Sequence, residues 1–391
     1  MKVKSLKRVL FIISAFLVAV FLVYLFSIAG NNTKGPLENM LFYAEQGIEN
    51  IENNLIIKDR VSIRKEKLKG FEPYRKDINK LKKPAVILMG ASDASEKESY
   101  ENLINLEDSL DTNFPIIHIY NAWGSKPDEQ FPRLAVKTIL GMGSIPMVTW
   151  EPWFGDFDAE QYPNIPKEIG KRDKNGLTAI TKGYYDDYIK QYAKETKEIG
   201  EPIIIRFAHE MNDPYRYPWG PQNNKSEDFV KAWQYVHDVF EEQGANNVVW
   251  VWSPHPSYKY FEDFYPGTEY VDYVGLGVLN FGTSASWSQW WSFEELLGND
   301  YDKIASFNKP IMIAEFGTLN IGGDRSQWFA KALKDLPTKY PQIKAILYFH
   351  YPVDETLTDK KISWYFIDDT AVLDSIKSNI NLWADSVKLS N

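Results

Sequence analysis

The 391-residue sequence predicts an α/β protein built as a TIM-type (β/α)₈ barrel, preceded by one N-terminal transmembrane helix. Two observations predict the barrel. After Pro84 the chain repeats short apolar runs, each followed by Gly, Asn, Pro or charged residues and then a longer amphipathic segment, which is the pattern of βα units. The runs number eight, and their spacing suits a barrel. A third observation predicts the helix: Lys2, Lys4, Lys7 and Arg8 precede an uncharged, mostly apolar run from Val9 to Ala29.

In chain order, residues 1–8 are expected to be a cytoplasmic N-terminus and 9–29 a membrane anchor that leaves the remainder outside the cell. A cleaved signal sequence is the competing reading, because Ser27-Ile28-Ala29 offers small residues for a peptidase; the chain is then secreted. Residues 30–83 are polar, with Leu37, Met40, Leu41, Ala44 and Ile48 at helical spacing, and read as a stalk or a helix laid over the barrel's N-terminal end. Residues 84–391 form the barrel domain. Its strands are expected at Ala85–Met89, Ile116–Tyr120, Pro146–Trp150, Pro202–Phe207, Val248–Trp252, Tyr273–Gly277, Ile311–Ala314 and Ala345–Phe349, with helices including Tyr184–Ile199, Ser226–Gln243 and Ser326–Leu336. A doubly wound sheet needs a phosphate-binding turn after an early strand. The one candidate, Gly141-Met142-Gly143, precedes its strand and lacks the third glycine.

Composition removes several classes. A net charge of −9 with no long basic run argues against nucleic acid as a partner. The absence of cysteine excludes disulfides, Cys-ligated zinc, iron–sulfur clusters and thiol catalysis. With five His and no further cluster, no metal and no cofactor are expected. Aromatic residues make up 15% of the chain, more than a core alone usually requires, and exposed rings can stack on the apolar faces of sugars.

Polar residues at the C-terminal ends of barrel strands reach the active site. Reading those ends gives Ser92 and Asp93, then Asn121 and Trp123, then Trp150, Glu151 and Trp153, followed by His209 and Glu210, His255, Asn280, Glu315 and His350. Two carboxylates stand out, on strands four and seven. Across a barrel mouth, long Glu side chains can converge to the ~5–5.5 Å that permits direct attack on a glycosidic carbon with retention. The plainer alternative for Glu315 is a strand-end acid neutralised by Arg206. His209-Glu210 also opens an H-E-x-x-H zinc motif, but position 213 is Asp, so that reading fails.

Two segments then carry a resemblance. Arg206-Phe207-Ala208-His209-Glu210-Met211-Asn212, followed by Tyr217-Pro218-Trp219, and Lys309-Pro310-Ile311-Met312-Ile313-Ala314-Glu315-Phe316-Gly317 resemble glycoside hydrolase family 26. Trp150-Glu151-Pro152-Trp153 and Val251-Trp252-Ser253-Pro254 support it, and it covers roughly residues 85–370. The resemblance implies Glu210 as acid/base, Glu315 as nucleophile, Arg206 as the group that keeps Glu315 ionised, and His209 and Trp219 near the scissile sugar. Many members carry a Tyr after strand six that bonds the nucleophile; this chain offers Leu279-Asn280-Phe281 there, so specificity departs from the common mannanase pattern. Trp150, Trp153, Trp219, Trp287, Trp290 and Trp291 are expected in loops lining a groove, with Asn280 and His350 as further substrate contacts; Trp290 and Trp291 suit a self-packed loop equally well. The expected function is retaining, endo-acting cleavage of a β-linked polysaccharide. β-1,4-Mannan leads, mixed-linkage β-1,3-1,4-glucan is the alternative, and a catalytically silent polysaccharide-binding or exopolysaccharide-assembly protein is the different class.

Overall fold

A computed structural model describes residues 17–19, 21–22, 36–93, 100–258, 260–354 and 361–389. The chain forms two compact units, Met1–Glu52 and Asn53–Asn391. The expected cytoplasmic segment 1–8 and most of the expected anchor 9–29 lie outside the described residues. Among the described residues no helix is long and apolar enough to cross a membrane.

The second unit holds eight parallel strands closed into a barrel in chain order: β1 Leu88–Asp93, β2 Ile116–Ala122, β3 Ile145–Glu151, β4 Ile203–Phe207, β5 Val248–Trp252, β6 Tyr273–Asn280, β7 Ile311–Thr318 and β8 Ile343–His350. Seven strands fall where the apolar runs place them; β1 begins three residues late. Small residues explain the shift, since Gly90-Ala91-Ser92 closes tightly on β2 and a Cβ at Gly90 would lie 2.7 Å from the Ile116 carbonyl. The helix expected at Ser226–Gln243 spans those residues, and the other two run over Asp186–Ile199 and Arg325–Lys339.

Side chains alternate along each strand, so every second residue enters the barrel and the rest face the helices. The lower interior is filled by Leu88, Ile116, Met147, Ile204, Val251, Tyr273, Met312, Ala345 and Leu347. Short helix Ile78–Lys82 closes this end: Leu81 is buried in the same cluster and its carbonyl accepts the Tyr273 hydroxyl at 2.6 Å. Helix Pro36–Lys67 ends in the barrel unit, where buried Arg64 pairs with buried Glu107 and also donates to the Met142 carbonyl at 2.8 Å and Ser144 Oγ at 2.6 Å. With the N-terminal end plugged, polar groups collect at the C-terminal mouth.

β7 breaks the alternation. Ile311 and Ile313 face outward and Met312 and Ala314 inward, so strict pairing would turn Glu315 toward the helices. Instead the register on β6 jumps from Leu276↔Ile313 to Gly277↔Glu315, and the register on β8 also shifts between Ile313 and Phe316. This bulge turns both Ala314 and Glu315 inward, the kind of re-aiming that bulges supply next to active sites.

Candidate active site

Inward-facing polar residues on β2, β3 and β4 build the floor of the mouth. His118 Nε2 lies 2.6 Å from Thr149 Oγ1, and Arg206 Nε donates to the same hydroxyl at 2.7 Å. So oriented, Arg206 Nη2 donates to Glu315 Oε1 at 2.6 Å, and the Tyr120 hydroxyl donates to that same oxygen at 2.8 Å. Burial pushes the Glu315 carboxyl up, but the Arg206 guanidinium and the two hydrogen bonds outweigh it and hold the group below the usual carboxylate range. Arg206 itself is held charged, because Glu315 overcomes the cost of its burial.

Glu210 stands on the turn after β4. Ala208 and Glu210 both adopt left-handed backbone, at φ 44° and 52°, each costing about 1–3 kcal/mol. The turn is pinned by Ala208 N–H on the Trp150 carbonyl at 3.0 Å and Glu210 N–H on the Ser253 carbonyl at 2.6 Å. Arg216 Nη1 lies 3.3 Å from Glu210 Oε2. Burial raises the Glu210 pKa; His255 and Arg216 oppose that rise electrostatically and Glu315 adds to it. The two carboxyls are therefore pushed apart, one toward the protonated and one toward the ionised form, as an acid and a nucleophile require.

His209 is buried behind Glu210, its Nε2 3.1 Å from the Tyr217 hydroxyl, and burial and Arg206 hold it neutral. Glu151 enters from β3, accepts the Trp153 indole N–H at 3.1 Å and lies 3.8 Å from His209 Nδ1. Burial raises its pKa to about 6, with the Trp153 hydrogen bond opposing.

Several expected contacts lie elsewhere. Trp150 is fully buried on the outer face of β3, stacked on Tyr192 at 4.2 Å, because alternation that brings Thr149 and Glu151 inward must turn Trp150 out. Asn280 faces out from β6 and ties the sheet to its loop, donating to Thr318 Oγ1 at 2.9 Å and accepting from Trp291 N–H at 3.2 Å. His350 also faces out, stacked on Tyr365 at 4.0 Å. Trp219 is buried too: it donates to the His209 carbonyl at 2.7 Å and stacks on Tyr217 at 4.6 Å, so it supports His209 from behind. Trp153 stays half-buried at the edge, Trp290 packs over Gly323, and Trp287 is exposed.

Strand-end reading named Glu151, which the structure places in the site; the site residues it did not name are Tyr120, Arg216 and Gly277. Alternation signals Tyr120, which lies two residues beyond the inward His118, just as Glu151 lies two beyond Thr149. Nothing local signals Arg216, which reaches Glu210 from a loop. Leu279 stands where the resemblance places a tyrosine, and the tyrosine partner of Glu315 comes from β2 instead.

Glu210, Asp213 and His255 each offer a ligand atom within 4.8 Å of the others. The Arg216 guanidinium already lies against Glu210, and His255 Nδ1 accepts Ser257 N–H at 3.2 Å. A metal ion there would face a cation, so the donor set fits hydrogen bonding around Glu210 better than ion binding.

A closed parallel barrel with paired, oppositely poised carboxyls, one on the turn after strand four and one on strand seven, has the architecture of the Glu-based barrel glycosidases. The chain belongs to glycosyl hydrolase family 26, whose model matches residues 145–346. Over 244 residues it is 33% identical to Endoglucanase H of Acetivibrio thermocellus, a match covering 60% of this chain and 25% of that one. It is 29% identical over 158 residues to a mannan endo-1,4-beta-mannosidase of Bacillus subtilis, covering 38% of this chain and 39% of the relative. The matched stretch thus spans well under half the length of either relative. The solved structure of a Bacillus subtilis mannanase shares the fold at a TM-score of 0.54 and 19% identity, over 77% of this chain and 91% of that one.

Proposed function

We propose that this chain is a retaining, endo-acting glycoside hydrolase of a β-linked polysaccharide, with Glu315 as nucleophile and Glu210 as acid/base. The observation that carries this reading is the pair itself. Glu315 Oε2 and Glu210 Oε1 lie 3.6 and 3.7 Å from one point above Gly277, so these two oxygens are at most 7.3 Å apart. That limit takes in the ~5–5.5 Å of direct displacement and only the short end of the range that needs an intervening water.

In the first half-reaction Glu210 gives its proton to the glycosidic oxygen while Glu315 attacks the anomeric carbon. The leaving sugar departs as an alcohol and a glycosyl ester forms on Glu315. Glu210, now ionised, takes a proton from water, which attacks the same carbon and frees Glu315. Arg206 and Tyr120 hold Glu315 Oε1, so Oε2 is the attacking oxygen.

For substrate, β-1,4-mannan is proposed first, on the names of the mannosidase relatives. Mixed-linkage β-1,3-1,4-glucan is the second reading, favoured by the 33% identity to a protein named Endoglucanase H. The run Val9–Ala29 supports an outward-facing, membrane-tethered enzyme, or a secreted one if that run is cleaved. The test is product release by the full chain from galactomannan, glucomannan, mixed-linkage glucan and β-1,3-xylan, with proton NMR of the first product. Release of a β-anomer that disappears in Glu315→Ala supports the reading. An α-anomer overturns retention, and binding without cleavage moves the chain to the silent polysaccharide-binding class.

A further inference from the structure

Two glycines face into the barrel from β6, and only one of them is needed by the fold. A Cβ on Gly275 would lie 2.8 Å from Val251 Cγ1 and 2.9 Å from Ser253 Cβ, so packing demands glycine there. A Cβ on Gly277 would meet only Glu315 Oε2 at 3.6 Å and Glu210 Oε1 at 3.7 Å, ordinary van der Waals distances. Gly277 is not among the positive-φ residues either, so its backbone accepts any L-residue. Neither sterics nor conformation explains its missing side chain.

Chemistry does. A reacting anomeric carbon must sit ~3–3.5 Å from the attacking oxygen, with the leaving oxygen in hydrogen-bond reach of the acid. The point that a Gly277 Cβ would occupy is in contact with both of those oxygens, and carbon atoms need about 3.5–4.0 Å of separation. A methyl group and a sugar ring poised for attack therefore compete for one space. We infer that Gly277 is a specificity-determining residue whose missing side chain is the seat of the sugar under attack, so that the ring is lodged against the β6 backbone between Glu210 and Glu315. The inference rests on the roles proposed for those two residues. It also assigns a purpose to the β6–β7 register jump, which sets Gly277 directly opposite Glu315.

The test is Gly277→Ala in the full chain, assayed on whichever polymer of the panel the wild type cuts, with thermal unfolding alongside. The expected result is an unchanged Tm with kcat/KM lowered about a hundredfold. In a Glu315→Gln background, where nothing is cleaved, Gly277→Ala should also weaken calorimetric binding of an oligosaccharide that spans the scissile position. Turnover and binding within twofold of the parent chains overturn the inference while leaving the proposed activity intact. A fall in activity that tracks a fall in Tm assigns Gly277 to folding and overturns it as well. A wild type that neither cuts nor binds any of the four polymers overturns the functional reading, and this inference with it.

Discussion

Tyr120 donates to Glu315 Oε1 at 2.8 Å from the inner face of β2, sharing that oxygen with Arg206, whose Nη2 is also 3.3 Å from the tyrosine hydroxyl. The three groups form a closed triangle in which both donors favour the ionised carboxyl. Removing one donor should therefore be felt in protonation as well as in rate. Tyr120→Phe is expected to cost about 2 kcal/mol of transition-state stabilisation, roughly thirtyfold in kcat/KM. It should also move the acid limb of the pH profile upward, because Glu315 then takes its proton at higher pH. An acid limb that stays in place, measured across pH 3–6, would remove Tyr120 from this role.

Arg216 acts on the other carboxyl. Its charge favours ionised Glu210 and so works against the burial that keeps the proton on. Arg216→Met should let Glu210 hold its proton to higher pH, shifting the alkaline limb upward; the acid limb should also rise, because Arg216 helps to lower the Glu315 pKa as well. The pH dependence of kcat/KM checks this, and a downward shift would contradict the assignment of Glu210 as the acid.

Glu151 links the site to stability. Its folded pKa of about 6 lies above its ordinary value of 4.5, so its contribution is most favourable when it is protonated and is lost as pH rises through 6. Ionised and buried, it costs the fold about 2 kcal/mol. Glu151→Gln keeps an acceptor for the Trp153 indole and should stabilise the protein at pH 7.5 while leaving it nearly unchanged at pH 4. Thermal unfolding at the two pH values measures the difference, which should open between them.

At the opposite end of the barrel, Arg64→Ala leaves Glu107 buried with the Asn113 side chain, at 2.7 Å, and the Phe114 N–H, at 2.8 Å, as its side-chain donors among the described residues. The expected loss is about 3–5 kcal/mol, read from urea unfolding, with no change in substrate affinity in the material that remains folded.

Much of this was legible in the chain. Apolar runs at a regular spacing place β2 to β8, because a strand buried on both faces must be apolar throughout. The limits of β1 were not legible: Ala85, Val86 and Ile87 match the apolar pattern, whereas closure of the barrel uses the small residues Gly90 to Ser92. Within the site, strand ends pick out Glu210 and Glu315 but not which neighbouring side chains turn inward. Trp150 shows the cost: the strand end offers Trp150 and Glu151 alike, and alternation turns only Glu151 inward.

The sequence by itself determined the barrel, the family and the two candidate carboxylates, because hydrophobic periodicity and short motifs are local properties. Only the tertiary structure decided how Glu315 reaches the mouth. Alternation along β7 points it at the helices, and a bulge arising from the register with β6 and β8 turns it inward to Arg206 and Tyr120. That register depends on partners 32 or more residues away in the chain, which no local pattern contains. The same holds for Gly277, whose role is set by two carboxyls that reach it from other strands.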